Sequence, residues 1–517
     1  MATAASFVDA GDFGHFLAGL PLITVAITVV VAYTVSKVIY NLWLHPLRAY
    51  PGPLLGRASS SYVALLEMRG NLHHKTKDWH DQYGEVVRTA PNRLSYSSGQ
   101  AWNEICGHRT STQKAVFDKD HDFFIKAPNG YQSVLTANGE QHRRLRRLLA
   151  HAFSDRALRV QEACLQGYVD LFISQLRKTC ATDNGVVNMV HWFNFTTFDI
   201  IGDLAFGDSF SLLKGGKWNR YLSSIFGLLE YNAFHRMAVS LIPLPWKHSI
   251  ARKLAPKDTL DDFVYQEQIS RDKLDHRVTL DTERQDFVYH MLKGSKETIG
   301  PDGLTFEEMV AQARVLIIAG SETTATLLSG MLYYLLKNTS VLARLVEEIR
   351  TAFSSEDEID ITSVARLSYL HGVLEESLRI YPPVPNSLPR VAPPEGAVIC
   401  GRFVPGGTSL GLHHWTSYHS EKNFFEPEKF HPERWLDNED PRFKNDDKDA
   451  FHPFSHGPRN CLGKNLAYAE LRLIVSKFFW NFDVELHPES DNWEQQEANV
   501  LWRKKPLYVK LLEREKV

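Results

Sequence analysis

Apolar residues recur at helical spacing through long stretches near 140–180, 186–207, 306–337, 363–380 and 462–480, and each predicts an amphipathic or buried helix. Two regions break the pattern. VVRTAPNRLSYSS (86–98) carries strand-like runs around Pro91 and Asn92 and predicts a hairpin. The 397–412 region is punctuated by glycine and proline and predicts short strands and turns. No internal repeat and no low-complexity tract interrupts residues 57–517. The expectation is one large, mainly α domain with small peripheral β-sheets, 57–517.

From Phe16 to Ser36 no residue is charged, a run of 21. That is long enough to cross a hydrocarbon core of about 30 Å. Lipid leaves such a segment only the helical state, because its backbone must pair with itself. Pro21 falls in the expected first turns, where a missing N–H costs least. Asp9 and Asp12 precede the run, while Lys37 and Arg48 follow it. A cleaved leader would have the opposite polarity. The segment predicts a retained single-pass anchor, residues 1–44, with the C-terminal bulk facing the cytosol. The Pro/Gly-rich HPLRAYPGPLLG, residues 45–56, predicts a stiff anchor-to-domain hinge.

Composition narrows the class further. Against 58 Lys+Arg stand 61 Asp+Glu, a net charge of −3, so no global basic field argues for a nucleic-acid partner. Five cysteines at wide spacings, with no C-x-x-C, argue against a disulfide framework or a structural zinc site and fit a reducing compartment.

One of the five differs from the rest. FSHGPRNCLG, 454–463, reads F-x-x-G-x-R-x-C-x-G. A chance match at five fixed positions has a probability on the order of one in ten thousand. Pro453 and Pro458 break regular structure before Cys461, and a helix-period run follows at once. A lone cysteine at a helix start, with an arginine two positions upstream, favours a thiolate and suits axial ligation of haem iron. Cys106, Cys164, Cys180 and Cys400 lack such a context and read as inert buried cysteines.

With this loop the chain resembles the cytochrome P-450 family of haem-thiolate monooxygenases, over nearly its whole length. AGSETT, 319–324, lies in the run from Phe306 to Lys337, which a Thr305/Glu308 capping box opens. Some 32 residues at 1.5 Å each give roughly 48 Å of helix, enough to cross a domain. Read alone, Ala319 and Gly320 at helical spacing with Thr323 and Thr324 suggest a close helix contact, or a helix loosened by hydroxyls competing for carbonyls. The resemblance implies instead that Thr323 and Glu322 help deliver protons to activated oxygen. In LEESLRIYPP, Glu376 and Arg379 at i, i+3 share a helix face and can pair, with Glu375 as the solvated alternative partner, and the resemblance implies that Arg434 of HPERW joins them in a buried structural triad. Haem-propionate contacts are implied for Arg146, Arg390 and Arg459. His142 stands where the family usually has tryptophan.

The resemblance places substrate contacts around 115–135, 228–246, both sides of Gly320, 385–388 and 499–502. Phe123, Phe124, Leu388, Val500 and Leu501 among them suggest an apolar substrate. HAFSDRAL and the PGP segment are most like fungal members of secondary metabolism, with terpenoid or polyketide-derived scaffolds as substrates. The activity implied is insertion of one atom of O₂ by an enzyme carrying haem b on Cys461. No dinucleotide fingerprint follows a strand, so NADPH would act through a separate reductase. The anchor would lie in the endoplasmic reticulum. Arg143, Arg147 and Lys464 form a candidate basic patch for the reductase. The rival readings are a haem-thiolate isomerase or dehydratase needing no reductase, and a non-catalytic haem sensor or carrier.

Overall fold

The computed structural model describes residues 10–109, 115–124, 130–182, 184–242, 246–280, 282–437 and 440–514. The N-terminal apolar run forms helix α1 (Ala10–Ile39). It starts earlier than the charge pattern suggests, so Pro21 lies in its interior, and the carbonyl four residues back has no helical donor. Val29, Val30 and Val31 are all more than half exposed, as a face meant for lipid would be. The 45–56 segment packs onto the body. Leu47 is fully buried, the Tyr50 hydroxyl donates to the Phe403 carbonyl at 3.0 Å, and Arg88 N–H donates to Pro51 O at 2.7 Å.

Within the body, α2 (Gly139–Ala150) leads into the long helix Asp155–Thr182, followed by α3 (Met189–Phe206) and α4 (Arg220–Leu241). The central helix α5 (Phe306–Lys337) starts at the capping box read from sequence. Thr305 Oγ1 accepts from Glu308 N–H at 3.1 Å, and Glu308 Oε2 accepts from Thr305 N–H at 3.0 Å. Helix α5 is also long and apolar enough to cross a membrane, but it is mostly buried and serves as the core axis of the domain. It packs most extensively on α3. A methyl group on Gly320 would meet Ile201 Cδ1 at 2.7 Å, so the glycine permits this close approach. No break interrupts α5 at AGSETT. There the Thr323, Thr324 and Ser321 hydroxyls donate to the carbonyls four residues back. Helices α6 (Ser368–Ile380) and α7 (Lys464–Asn481) complete the packing around it.

The strands are short and lie at the periphery. The hairpin β1 (Val86–Ala90) and β2 (Arg93–Tyr96) belongs to a five-stranded sheet that also contains β3 (Asp118–Lys119). Strand β4 (Val186–Asn188) comes next, then β5 (Arg390–Val391), β6 (Ala397–Ile399), β7 (Arg402–Val404) and β8 (Ser409–Leu412). The chain ends with β9 (Phe482–Leu486) and β10 (Tyr508–Glu513). The five-stranded order is β1-β2-β8-β5-β3, with β2 and β8 parallel; β4-β10-β9 and β6-β7 form the other sheets. The β3–β5 register sets Lys119 opposite Arg390.

Glu376, Arg379 and Arg434 are together and fully buried. Arg379 donates to Glu376 at 2.8 and 2.9 Å, and Arg434 Nε lies 3.0 Å from Glu376. The neighbouring Glu375 is not the solvated carboxylate that the helix pattern suggests. Its side chain is 12% exposed, it accepts from the Tyr468 hydroxyl, and burial raises its pKa.

Candidate functional site

Gly457 explains part of the cysteine loop. It adopts φ +70°, and any side chain there would run into the Cys106 carbonyl. The loop closes through Cys461 N–H donating to Phe454 O at 2.8 Å and Asn460 N–H donating to Gly457 O at 3.1 Å. Helix α7 starts three residues later, at Lys464. By surface area Cys461 is exposed, yet protein encloses its sulfur, so the thiol faces an internal cleft. The expectation that the helix start would favour a thiolate meets a stronger opposing force. Burial raises the thiol pKa, and the Gly463 N–H, Arg146 and Lys464 only partly offset it.

Arg146, on α2, donates to Asn460 O at 2.6 Å and also to Asn460 Oδ1, so it clamps the residue before the cysteine. Arg459 donates to the Phe117 carbonyl and pairs with Asp118 at 2.6 Å. Arg390, on β5, is 5% exposed, and burial lowers its pKa. His142, also 5% exposed, is held neutral. Burial brings its pKa to about 3, helped by Lys119, Arg459, Arg146 and Arg390. The structure therefore gathers Arg146, His142, Arg390 and Arg459 around one site.

Sequence reasoning missed a fifth member, Lys119. It lies in FDKDHD, inside the 115–135 segment expected to contact substrate, and no motif marked it for the cofactor. In the fold it is 5% exposed and donates to the carbonyls of Val134 (2.7 Å) and Ala137 (3.1 Å). Burial, with Arg390, Arg459 and Arg146 adding repulsion, brings its pKa down to about 6. Like charges directly opposite on paired strands destabilise a sheet. Lys119 and Arg390 are such a pair, and Asp118 is the carboxylate that acts on both. This donor set fits a prosthetic group that brings two carboxylates of its own, with the thiol of Cys461 available to its metal.

Thr323 and Glu322 point in different directions. The Thr323 hydroxyl is exposed in the middle of a core helix and donates to Ala319 O at 2.7 Å. Glu322 is fully buried and pairs with Lys504, which is 2% exposed. Thr326 Oγ1 accepts from Lys504 Nζ at 2.7 Å and donates to Glu322 Oε1 at 3.3 Å. No motif pointed to Lys504.

On the substrate side, residues 125–129 and 243–245 of the expected segments lie outside the described residues. Phe124 and Leu501 are buried; Phe123, Leu388 and Val500 are partly so. Asn386 donates to Asn499 O at 2.5 Å and ties two of the segments together. The region is not wholly apolar, because Arg236 pairs with Glu67 at 2.9 Å in a largely buried contact and lies 4.9 Å over Phe123. On α2, Arg144 is taken up by Glu308 and the Gly303 carbonyl, while Arg143 and Arg147 are exposed.

The family description "Cytochrome P450" matches residues 51–511. The chain is 46% identical to cytochrome P450 monooxygenase aclL of Aspergillus oryzae, over 93% of this chain and 96% of the relative. It is 42% identical to cytochrome P450 monooxygenase astJ of the same organism, over 93% and 95%. To the averantin hydroxylase of Dothistroma septosporum it is 39% identical, over 97% and 94%.

Proposed function

Because the chain belongs to the cytochrome P450 family and is a monooxygenase of fungal secondary metabolism, we propose that it inserts one atom of O₂ into an apolar terpenoid or polyketide-derived scaffold. A relative named for hydroxylating averantin favours hydroxylation as the reaction type. The observation that carries the reading is the cluster of basic side chains near Cys461, in which Arg146, Arg390, Arg459 and Lys119 surround neutral His142. A bound haem supplies the oxygen activation that no protein side chain can provide.

In this reading Cys461 holds the iron. Arg146, Arg390, Arg459 and Lys119 neutralise the two propionates, and neutral His142 donates a hydrogen bond in place of the usual indole. The Thr323 hydroxyl passes protons toward the site, with Glu322 as their source. Substrate is oriented by side chains from Phe123, Leu388 and Val500. Electrons come from NADPH through a separate reductase that docks near Arg143, Arg147 and Lys464. Residues 1–44 anchor the protein, 45–56 set the angle of the body, and 57–517 form the catalytic domain, cytosolic on the endoplasmic reticulum. Lys37 and Arg48, just past the span, support that orientation.

The test is expression in microsomes with a reductase, followed by metabolite profiling on a panel of terpenoid and polyketide scaffolds under isotopically labelled O₂. The expected result is an NADPH-dependent product carrying one labelled oxygen. Haem-loaded protein that yields no labelled product from any scaffold, or forms product without NADPH, would overturn the proposal.

A further inference from the structure

The carboxylate assigned to proton delivery is closed off in this structure. Glu322 lies a helical step from Thr323, and no hydrogen bond joins the two among the described residues. Its side chain is fully buried, its Oε1 is taken by Lys504 and Thr326, and its Oε2 has no protein donor among the described residues. Charged groups facing it are few. Lys504 is its counter-cation, and the neutral Tyr381 stands near enough to feel its charge. Burial raises the Glu322 pKa and lowers that of Lys504, while each favours the charged form of the other. Breaking such a buried pair leaves an uncompensated charge, so the closed arrangement persists unless something moves the lysine.

Lys504 belongs to the turn that carries the expected substrate contacts Asn499–Trp502. That turn is held from both sides. Asn386 donates to Asn499 O, Trp502 Nε1 donates to Pro382 O at 2.8 Å, and Trp502 stacks on Tyr381 with ring centroids 4.7 Å apart. Val500 and Leu501 lie between these pins, four and three residues before Lys504. A molecule that shifts Val500 and Leu501 acts on a short, stiff connection to the lysine.

We propose that Lys504 is a positioning residue that restrains proton delivery. It holds Glu322 away from Thr323 and makes its release depend on occupancy of the Asn499–Trp502 turn. The inference rests on the role given to Glu322 above. Without Lys504 the buried carboxyl is neutral and unheld, so delivery no longer waits for a substrate.

The test needs no identified substrate. The probes are NADPH and O₂ alone, with membrane-bound holoenzyme and reductase. The readouts are NADPH oxidation and its slowing in D₂O, normalised to haem content and to the rate of first reduction under CO. Lys504→Met should raise substrate-free NADPH oxidation about tenfold, below the full contribution of about 10²–10⁴ that a positioned proton donor makes, because the restraint is released only in part. The D₂O slowing should shrink, and Lys504→Arg should behave like the parent. In a Glu322→Gln background, Lys504→Met should add nothing. If Lys504→Met alone loads no haem, the double variant, which removes both members of the buried pair, is compared with Glu322→Gln and carries the test: the proposal expects equal NADPH oxidation, and a difference overturns it. Unchanged or slower oxidation in Lys504→Met, or an added effect in the Glu322→Gln background, would overturn the proposal while leaving the role of Glu322 intact. A silent Glu322→Gln would instead remove that role, and this inference with it.

Discussion

Replacing Glu376 with glutamine tests whether the buried triad holds the fold. Glu376 accepts from Arg379 Nε and Nη2 (2.9 and 2.8 Å), from the Trp435 indole (2.8 Å) and from His431 N–H (2.9 Å), with Arg434 at 3.0 Å. Burial alone would raise its pKa, but Arg379, Arg434 and the His431 N–H outweigh it and hold the carboxyl below its usual range. Glutamine keeps the shape but turns an amide donor toward other donors. Arg434 would retain Asp446, whereas Arg379 would keep only the carbonyls of Tyr418, Pro427 and Lys429. One buried cation is left without a counter-charge, which costs about 3–5 kcal/mol. Against a total stability of about 5–15 kcal/mol this is a large share. Unfolding entropy scales with length and reaches about 1.1 kcal/mol/K for a chain of this size, so the melting temperature should fall by about 3–5 °C. The stabilisation from a depressed carboxyl pKa is present above the unfolded value, about 4.3, and is lost as pH falls through the folded value. The difference between variant and parent should therefore shrink in acid. The control is Glu375→Gln, one residue away on the same helix. Burial raises its pKa and so disfavours its charge, and removing that charge should shift the melting temperature little. The assay is thermal loss of the haem-thiolate absorption at two pH values. Equal melting temperatures for Glu376→Gln and Glu375→Gln would refute the argument.

Four further outcomes are expected. Cys461→Ala should lose the thiolate signature of the reduced, CO-bound spectrum, whereas alanine at Cys106, Cys164, Cys180 or Cys400 should keep it. Thr323→Ala should bind haem normally but raise peroxide formed per NADPH, because oxygen is reduced yet poorly protonated; an unchanged ratio would assign the hydroxyl to helix packing. Glu470 is 3% exposed, and burial raises its pKa to about 8, so the folded state binds the extra proton and stability falls as pH rises from about 4.5 to 8; Glu470→Gln should flatten that part of the denaturation-versus-pH curve. Arg143→Glu with Arg147→Glu should slow first-electron reduction by the reductase and weaken its salt dependence, leaving peroxide-driven turnover intact, and stopped-flow reduction at low ionic strength checks it.

Much of this protein is local and therefore readable along the chain. The 3.6-residue period of 306–337, the Thr305/Glu308 cap, the hairpin at 86–96 and the glycine and prolines around Cys461 each act within a few residues. The apolar N-terminal helix likewise follows from one uninterrupted run. What the sequence left undecided are groups whose meaning comes from distant neighbours. Lys119 sits in a run of alternating charges that no motif marks until β3 pairs with β5 and sets it against Arg390. Glu375 and Glu376 are adjacent and chemically identical, yet burial raises one pKa while two arginines, one from 58 residues away, lower the other. Glu322 and Lys504 are 182 residues apart, and only the fold pairs that carboxylate with a buried lysine. Helical period, caps and turns depend on the residues nearest in the chain. The charge state and reach of a buried group depend on which cations, carbonyls and apolar walls the finished fold brings to it, and only the tertiary structure decides that.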